Sequence, residues 1–324
     1  MNVGVCGCIS AGTSAHHVRF QGLEVMHKWL SIPLCAMYGA SLAGNSLILW
    51  LVKSEPSLHQ PMYYLLSMLA VTDLGLSAFT LPTMPPIYML GLRRVSVDIC
   101  LAQLFFIHTF SIMESSVLLT MALDRFVAIS NPLHYGTILT SPRIASLGLA
   151  SVVCSLGLHI PAPIMLKKLP YCQNHLLSHS YCLHPDVMKL ACADTHINSA
   201  YGLFVVLSTL GVDSVLIVLS YGELILQTVL SIASKAERLK ALNTCVSHIC
   251  AVLLFYTPMI GLSMIHRFGR QASPSSPVLL SYLHFLIPPV LNPLVYTIKT
   301  KQIRLRMLRF FASHGAGIRD IQVQ

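Results

Sequence analysis

Seven long apolar stretches divide the chain, and each is bounded by charged residues or by clusters of Pro, Gly and Ser. Each stretch is at least as long as the ~20 residues that an α-helix needs to cross the hydrocarbon core of a bilayer. A backbone exposed to lipid must satisfy its own hydrogen bonds, so these stretches predict membrane-spanning helices. The predicted spans are 28–52, 61–90, 100–129, 144–166, 198–230, 241–266 and 278–298.

The composition supports a protein that lies within a membrane. Of its 324 residues, 54% are hydrophobic and only 10% are charged, and the mean hydropathy is +0.68. A soluble domain usually carries about 25% charged residues. The net charge of +9 is therefore better explained by basic residues at membrane edges than by a surface for nucleic acid. We predict an all-α membrane protein, a seven-transmembrane helix bundle.

The spans organise the chain into three parts. These are an N-terminal segment (1–27), the bundle (28–298) and a C-terminal segment (299–324). An odd number of spans places the termini on opposite sides, and a cytosolic C-terminus puts a small majority of the 21 Lys and Arg residues inside. The run KTKQIRLRMLRFF combines apolar residues at helical spacing with a cationic face, which predicts a short helix on the membrane surface.

Four cysteines gather at one side of the predicted bundle. Cys100 opens the third span, and Cys172, Cys182 and Cys192 lie in the loop between the fourth and fifth spans. In an oxidising compartment, four cysteines imply two disulfides, and three pairings are open. The alternative is a zinc site that adds nearby histidines, although no CxxC pair is present. Those histidines are His175, His179 and His184.

Two carboxylates lie in the middle of predicted spans, where a charge costs at least ~2.5 kcal/mol. Asp73 is in the second span and Glu114 in the third. If they face each other, they either share a proton or bind a cation such as sodium. Asn45 and Asn292 lie at comparable depth and can supply neutral oxygens. A purely structural role, with one protonated acid bonded to its neighbour, is the alternative.

Asp124 and Arg125 end the third apolar stretch, just before AISNPLHY. The two side chains can form an ion pair, and the arginine can also reach polar groups on neighbouring helices. A lone Asp-Arg dipeptide is common, so the informative feature is its position at the end of a long apolar helix.

Six motifs narrow the class of protein. They are GN at 44–45, LHQPMYYLLSMLAVTD at 58–73, MALDRFVAISNPLHY at 121–135, SY at 220–221, KALNTCVSH at 240–248 and PPVLNPLVY at 288–296. With these motifs the chain resembles the rhodopsin-like G-protein-coupled receptors and, within them, the olfactory (odorant) receptors, over about residues 22–311. GLEVMHKW and HRFG resemble the class I, or fish-like, branch of that family.

The resemblance implies a function and a location. The expected protein is an odorant receptor in the plasma membrane, with its N-terminus extracellular and its C-terminus cytoplasmic. Its expected partners are a small-molecule odorant, membrane lipid and a stimulatory heterotrimeric G protein that raises cyclic AMP. No enzymatic activity is expected, no nucleic acid, and no cofactor beyond an allosteric sodium ion.

The resemblance also assigns roles to residues. It implies that Cys100 pairs with Cys182 and Cys172 with Cys192, and that Asp73 and Glu114 bind sodium. It implies that Arg125 is a switch, which Asp124 holds in the resting state and which is released to Tyr221 and the G protein on activation. Two further residues are expected to line the same inner cavity, namely His248 and Tyr296.

The ligand is expected in the half of the bundle that carries Cys100. Arg267 ends the sixth span one turn beyond Ser263, His108 lies two turns from Cys100, and His184 follows Cys182. An arginine at a helix end often only extends its charge to the membrane surface. The class I resemblance favours a polar or carboxylate-bearing ligand, which Arg267 can hold through a bidentate contact. Apolar walls are expected from Leu104, Phe105, Ile112, Val205, Leu207 and Leu262.

Other classes of membrane protein fit less well. A small-solute transporter would favour inverted repeats and broken helices around its site, and no repeat is visible. A retinal protein would need a lysine in the seventh span, and an intramembrane enzyme would need a motif such as HExxH; neither is present. A non-olfactory chemosensory receptor for a small metabolite remains the main alternative.

Overall fold

The computed structural model describes residues 15–18, 27–81, 94–171, 176–177, 181–231, 234–268, 275–300 and 302–309. Within this part, long helices form one bundle, and shorter helices lie between or after them along the chain. In chain order they are α1 (His27–Ser54), α2 (Pro61–Thr80), α3 (Val97–Ser130), α4 (Tyr135–Ile138), α5 (Ser141–His159), α6 (Pro161–Lys167), α7 (His184–Met188), α8 (His196–Val206), α9 (Val212–Ser231), α10 (Lys235–Phe268), α11 (Ser275–Phe285), α12 (Ile287–Lys299) and α13 (302–309).

The predicted seven spans are confirmed. Six segments are long and apolar enough to cross a membrane, and α11 with α12 forms a seventh that is bent by 41°. The third span extends from Val97 to Ser130, against a prediction of 100–129. The sixth begins at Lys235, earlier than predicted. The end of the predicted second span, 82–90, lies outside the described residues.

Three of the described spans are interrupted, although the sequence predicted each of them as one continuous helix. The fourth consists of α5 and α6, which meet at Ile160 and Pro161. The fifth consists of α8 and α9 joined by a π-helical turn, Leu207–Gly211. The seventh breaks at Leu286, just before a helix whose first turn contains proline. Proline removes a backbone donor, so a break of this kind next to proline is expected.

The two ends of the bundle carry different features. We call the end with the Cys100–Cys182 disulfide the disulfide end, and the opposite end, which carries the Asp124–Arg125 pair, the Arg125 end. At the disulfide end a small sheet supplements the predicted all-α architecture. In it, β1 (Ala15–Val18) lies between β2 (Arg94–Ser96), to which it is antiparallel, and β3 (Leu176–Leu177), to which it is parallel.

Small residues allow the spans to approach closely. The hydroxyls of Ser41 and Ser77 are 2.8 Å apart and connect the first and second spans. A Cβ added to Gly44 would lie 2.9 Å from the Pro293 ring of the seventh span. Without a hydrophobic driving force between helices in lipid, such close packing and interhelical hydrogen bonds hold a bundle together.

The short helix predicted after the seventh span is present as α13. Ile303 is 1% exposed and packs into the apolar cluster at the Arg125 end. Arg306 pairs with Glu55 at 3.0 Å, and Tyr63 donates a hydrogen bond to Gln302. The helix is therefore fixed to the turn between the first and second spans.

Candidate functional site

A cavity of about 310 Å³ lies inside the disulfide end of the bundle. Its walls come from the third to seventh spans and from α7, which crosses its mouth just after Cys182. The disulfide joins Cys100, at the start of the third span, to Cys182, as the resemblance implied. The loop is thereby held over the cavity. Because both sulfurs form this bond, the zinc alternative for these cysteines is wrong.

The second predicted disulfide is only partly in view. Cys192 is disulfide-bonded, whereas its predicted partner Cys172 lies outside the described residues. Among the described residues, no group of three or more His, Cys, Asp and Glu side chains has an arrangement that holds a metal ion.

Three of the four predicted ligand-binding residues line this cavity: Ser263, His108 and His184. His108 Nδ1 donates to the Leu104 carbonyl oxygen at 2.9 Å. A carbonyl only accepts, so Nδ1 carries the proton and Nε2 is the nitrogen left for other contacts. The His184 ring packs against Gly202, where an added Cβ would lie 3.0 Å from Cε1. Arg267 belongs to α10, but its side chain lies outside the described residues.

Most of the expected apolar walls are present. Leu104, Ile112, Val205 and Leu262 line the cavity, but Phe105 and Leu207 do not. Leu207, the first residue of the π-helical turn of the fifth span, is 58% exposed on the outside of the bundle.

Two further histidines line the cavity and were not predicted. The His159 ring lies 5.4 Å from that of His108, and His284 contributes from the seventh span. The only sequence signal for either was a histidine within an apolar segment. A single sequence does not show which of them turns inward.

An acidic cluster lies between the cavity and the Arg125 end. Asn292 donates to both oxygens of Asp73, at 3.3 and 3.1 Å. Glu114 adjoins Asn292 and is in electrostatic range of Asp73. Both Glu114 oxygens and Asn292 Oδ1 are buried and have no hydrogen-bond partner among the described residues. A surplus of oxygen acceptors over donors fits a hard cation.

Asn45 lies beside this cluster and connects two spans through hydrogen bonds. Its amide donates to the carbonyl oxygens of Ser41, at 3.0 Å, and Pro289, at 2.9 Å. The first span is thereby connected to the break in the seventh. The sodium role predicted for Asn45 stays a prediction.

A hydrogen-bonded network below the cavity connects three spans. Ser115 donates to Asp213 at 2.7 Å and lies 2.6 Å from the Tyr256 hydroxyl. Because the single Ser115 proton goes to Asp213, Tyr256 must be the donor to Ser115. None of these three residues was predicted from the sequence. Asp213 lies just after the π-helical turn, a type of irregularity that is frequent at functional sites.

The predicted switch residues lie at the Arg125 end. Arg125 pairs with Asp124 at 3.1 Å, and Asp124 is 1% exposed. Tyr221 is hydrogen-bonded to His248 Nδ1. Tyr296 is buried and in electrostatic range of Arg125. The five predicted switch residues therefore form one neighbourhood.

Tyr135, from α4, joins this neighbourhood and was not assigned a role from the sequence. Its hydroxyl donates to Asp124 Oδ1 at 2.7 Å. Burial and the Asp124 carboxylate raise the pKa of Tyr135. The phenol therefore remains protonated, and able to donate, at any physiological pH.

The seven spans, the disulfide-covered cavity and the Asp124–Arg125 pair define a rhodopsin-like seven-helix membrane protein. The crystal structure of squid rhodopsin has this fold, with a TM-score of 0.73 over 91% of this chain and 87% of that chain, at 15% identity. A family model described as "Olfactory receptor" matches residues 34–314. The chain belongs to the olfactory receptor family.

Human relatives support the same assignment. Olfactory receptor 51G2 from Homo sapiens is 60% identical over 313 residues, which cover 96% of this chain and 99% of the relative. Olfactory receptor 51G1 from Homo sapiens is 56% identical over 90% of this chain and 91% of the relative. Membership makes the chain a multi-pass G-protein-coupled receptor and not an enzyme, with a small-molecule ligand and a G protein as its general partners.

Proposed function

We propose that this receptor detects a small carboxylic acid, or a similarly polar odorant, in the cavity at the disulfide end. The observation that carries the proposal is that Ser263, His108 and His184, selected for their chemistry, line one cavity together. Arg267 follows Ser263 by one turn of α10 and is the proposed partner of the carboxylate. An arginine offers two parallel hydrogen bonds to a carboxylate, which are strong in a poorly hydrated pocket.

The proposed output is activation of a stimulatory, olfactory-type G protein and a rise in cyclic AMP. In this proposal the disulfide end faces the extracellular side of the plasma membrane and the Arg125 end faces the cytosol. Three features support the direction of coupling. The cavity, the Ser115–Asp213–Tyr256 network and the Asp124–Arg125 pair follow one another along the bundle, and α3 contributes to all three.

The switch is proposed to work by exchange of partners. In the structure Arg125 is paired with Asp124, and Tyr221 with His248, which corresponds to a resting arrangement. On activation Arg125 leaves Asp124 for Tyr221 and the G protein. A ligand favours the active state only to the extent that it binds that state more tightly.

We also propose that Asp73, Glu114 and Asn292 hold a sodium ion in the resting state. The support is the set of buried oxygens on Glu114 and Asn292 that have no hydrogen-bond partner among the described residues. A bound cation would supply the charge that offsets two neighbouring carboxylates.

The test of the main proposal is a cyclic AMP reporter assay with straight-chain carboxylic acids and their methyl esters. The wild-type receptor is expected to respond to an acid but not to its ester. Arg267→Ala should abolish the response, and Arg267→Lys should weaken it, because lysine keeps the charge but loses the bidentate contact.

The matched control is Lys167→Ala. Lys167 is an exposed cation at the same end, paired with Asp98 at 2.9 Å, and it does not line the cavity. Its response should equal that of the wild type at equal surface level. An undiminished response to the acid in Arg267→Ala would contradict the proposal that Arg267 binds the carboxylate. Solute flux across liposomes without nucleotide exchange would favour the transporter alternative.

A further inference from the structure

Two buried polar groups line the cavity on the side away from the disulfide end, and the acid-binding set does not use them. Ser111 lies one helical turn beyond His108 on α3, and its hydroxyl has no hydrogen-bond partner among the described residues. His284 is 4% exposed, and its Nδ1 has no partner within the same part of the chain. Buried polar groups in proteins are almost always hydrogen-bonded, so each such exception calls for an explanation.

These two groups lie well away from the proposed carboxylate partner. The ring of His284 is 5.1 Å from that of Phe255. Phe255 lies two helical turns, or ~12 Å along the helix axis, from Ser263 on α10. Arg267 lies one more turn beyond Ser263, so it is farther still from Phe255. The cavity therefore has polar chemistry at both of its ends and apolar walls between them, including Leu104, Ile112 and Leu262.

The size of the cavity also exceeds the needs of a short acid. A three-carbon acid has five non-hydrogen atoms, and at roughly 30 Å³ for each, the volume of one water molecule in the liquid, it occupies roughly 150 Å³. The cavity of about 310 Å³ has space for about twice that. A ligand that fills it reaches from the α10 side to Ser111 and His284.

We propose that Ser111 and His284 form a second polar subsite, which binds a hydroxyl or carbonyl group at the far end of the ligand. This inference rests on the proposed acid receptor function. The ligand class is then medium-chain carboxylic acids with a hydroxyl or keto group near the end opposite the carboxylate. A serine hydroxyl donates and accepts. His284 shares a hydrogen bond with the Phe255 backbone, whose carbonyl only accepts, so Nε2 carries the proton and Nδ1 is an acceptor. Both groups can therefore pair with a ligand hydroxyl.

The subsite adjoins the network that connects the spans. Ser115 lies one helical turn beyond Ser111 and contacts Asp213 and Tyr256. A ligand group bonded to Ser111 therefore sits directly above a hydrogen-bonded contact between the third, fifth and sixth spans. A ligand with both polar groups would therefore bind Arg267 at one end and Ser111, next to this network, at the other.

The test compares octanoic acid, omega-hydroxyoctanoic acid and the methyl ester of the hydroxy acid in the cyclic AMP assay. Wild type is expected to prefer the hydroxy acid to octanoic acid by about tenfold in EC50, the worth of roughly one net hydrogen bond. Ser111→Ala and His284→Leu should each remove most of this preference while leaving the response to octanoic acid. His284→Gln, which keeps a polar group, should retain part of it.

The matched control for Ser111→Ala is Ser116→Ala on the same helix. The Ser116 hydroxyl donates to the Ile112 carbonyl at 3.1 Å and does not line the cavity, so its variant should keep the full preference. Equal EC50 values for the two acids in wild type, or a preference that survives both Ser111→Ala and His284→Leu, would overturn the subsite.

The methyl ester lacks the carboxylate, so it tests the subsite independently of the proposed contact with Arg267. A hydroxy ester that matches the hydroxy acid, and loses potency in Ser111→Ala, supports the subsite and overturns the role of Arg267. If the ester gives no response and the potency of the hydroxy acid falls in Ser111→Ala, both the subsite and the role of Arg267 are supported. No response to any of the three compounds, with receptor detected at the cell surface, overturns both.

Discussion

Tyr135 donates a hydrogen bond to Asp124, the carboxylate that pairs with Arg125. Its hydroxyl contacts one oxygen of Asp124, and Arg125 contacts the other. The carboxylate is thus held in the orientation that it needs to pair with Arg125. Since Tyr135 comes from the loop helix α4, the loop between the third and fourth spans contributes to the proposed resting arrangement.

Removal of this hydroxyl is expected to raise signalling without ligand. In Tyr135→Phe the ring remains but the bond to Asp124 is lost. A net hydrogen bond is worth ~0.5–1.5 kcal/mol, so the resting-to-active equilibrium should shift roughly two- to tenfold towards the active state. The measurement is basal cyclic AMP at matched surface expression.

Tyr171→Phe is the control for this prediction. Tyr171 also donates a buried hydrogen bond, to the Leu166 carbonyl at 2.7 Å, but it lies in the loop at the disulfide end. Its loss should leave basal cyclic AMP unchanged. Basal signalling of Tyr135→Phe that equals wild type would mean that the resting state does not depend on this bond.

Single residues differ in how well the sequence predicts them. A charge within an apolar helix is costly, so the sequence alone marks four residues as candidates for a function: Asp124, Arg125, Asp73 and Glu114. Tyr135, Tyr256 and Ser115 are ordinary in composition. Their importance comes from partners on other spans, which no spacing along one helix reveals.

The fifth span shows how an irregular element positions side chains. Its π-helical turn, Leu207–Gly211, adds a residue to one turn of the helix. Val205, before the turn, and Leu210, within it, line the cavity, and beyond the turn Asp213 accepts a hydrogen bond from Ser115. The turn thus allows one helix to contribute both to the cavity and to the network beneath it.

Close packing of the first and seventh spans depends on Gly44. A methyl group at this position would lie 2.9 Å from Cβ and 3.2 Å from Cγ of Pro293, and a proline ring cannot rotate away. Gly44→Ala should lower the free energy of unfolding by ~1–3 kcal/mol through overpacking. The measurement is the melting temperature of the purified receptor in detergent.

The same helix offers a matched control. An added Cβ at Gly39 would meet nothing within 4 Å. Because alanine is the better helix former, Gly39→Ala should leave the melting temperature unchanged or raise it slightly. Equal melting temperatures for Gly39→Ala and Gly44→Ala would show that the contact between the first and seventh spans tolerates the extra methyl group.

The positions of the spans were predictable, but their breaks were not. A bilayer fixes the length of an apolar segment, so the ends of the third and fourth spans fell within three residues of the prediction. The π-helical turn and the 41° bend of the seventh span depend on packing against neighbouring helices. The strands of the small sheet are at most four residues long and lack a distinct alternating pattern.

At the scale of the whole receptor, the third span contributes to both buried polar sets, with Glu114 in the acidic cluster and Arg125 in the proposed switch. Sodium bound in the resting state would stabilise that state by mass action. We therefore expect sodium chloride to raise the melting temperature of the purified receptor and to weaken agonist binding. Asp73→Asn and Glu114→Gln should each remove both effects.

Choline chloride at equal ionic strength is the control for screening by salt. Choline is too large for a site formed by Asp73, Glu114 and Asn292, so it should leave the melting temperature unchanged. An equal rise with choline and with sodium, or a rise that persists in Asp73→Asn, would contradict a specific cation site.

The central position of β1 in the small sheet has a practical consequence for expression chimeras. Within the sheet, β2 and β3 do not pair with each other, and Ala15–Val18 pairs with one of them on each side. A fusion that replaces the first 18 residues with a foreign leader removes the strand that pairs with both neighbours and leaves the Cys100–Cys182 disulfide to hold the loop to the third span. Tags and leaders are best attached ahead of Ala15, so that β1 still pairs with β2 and β3.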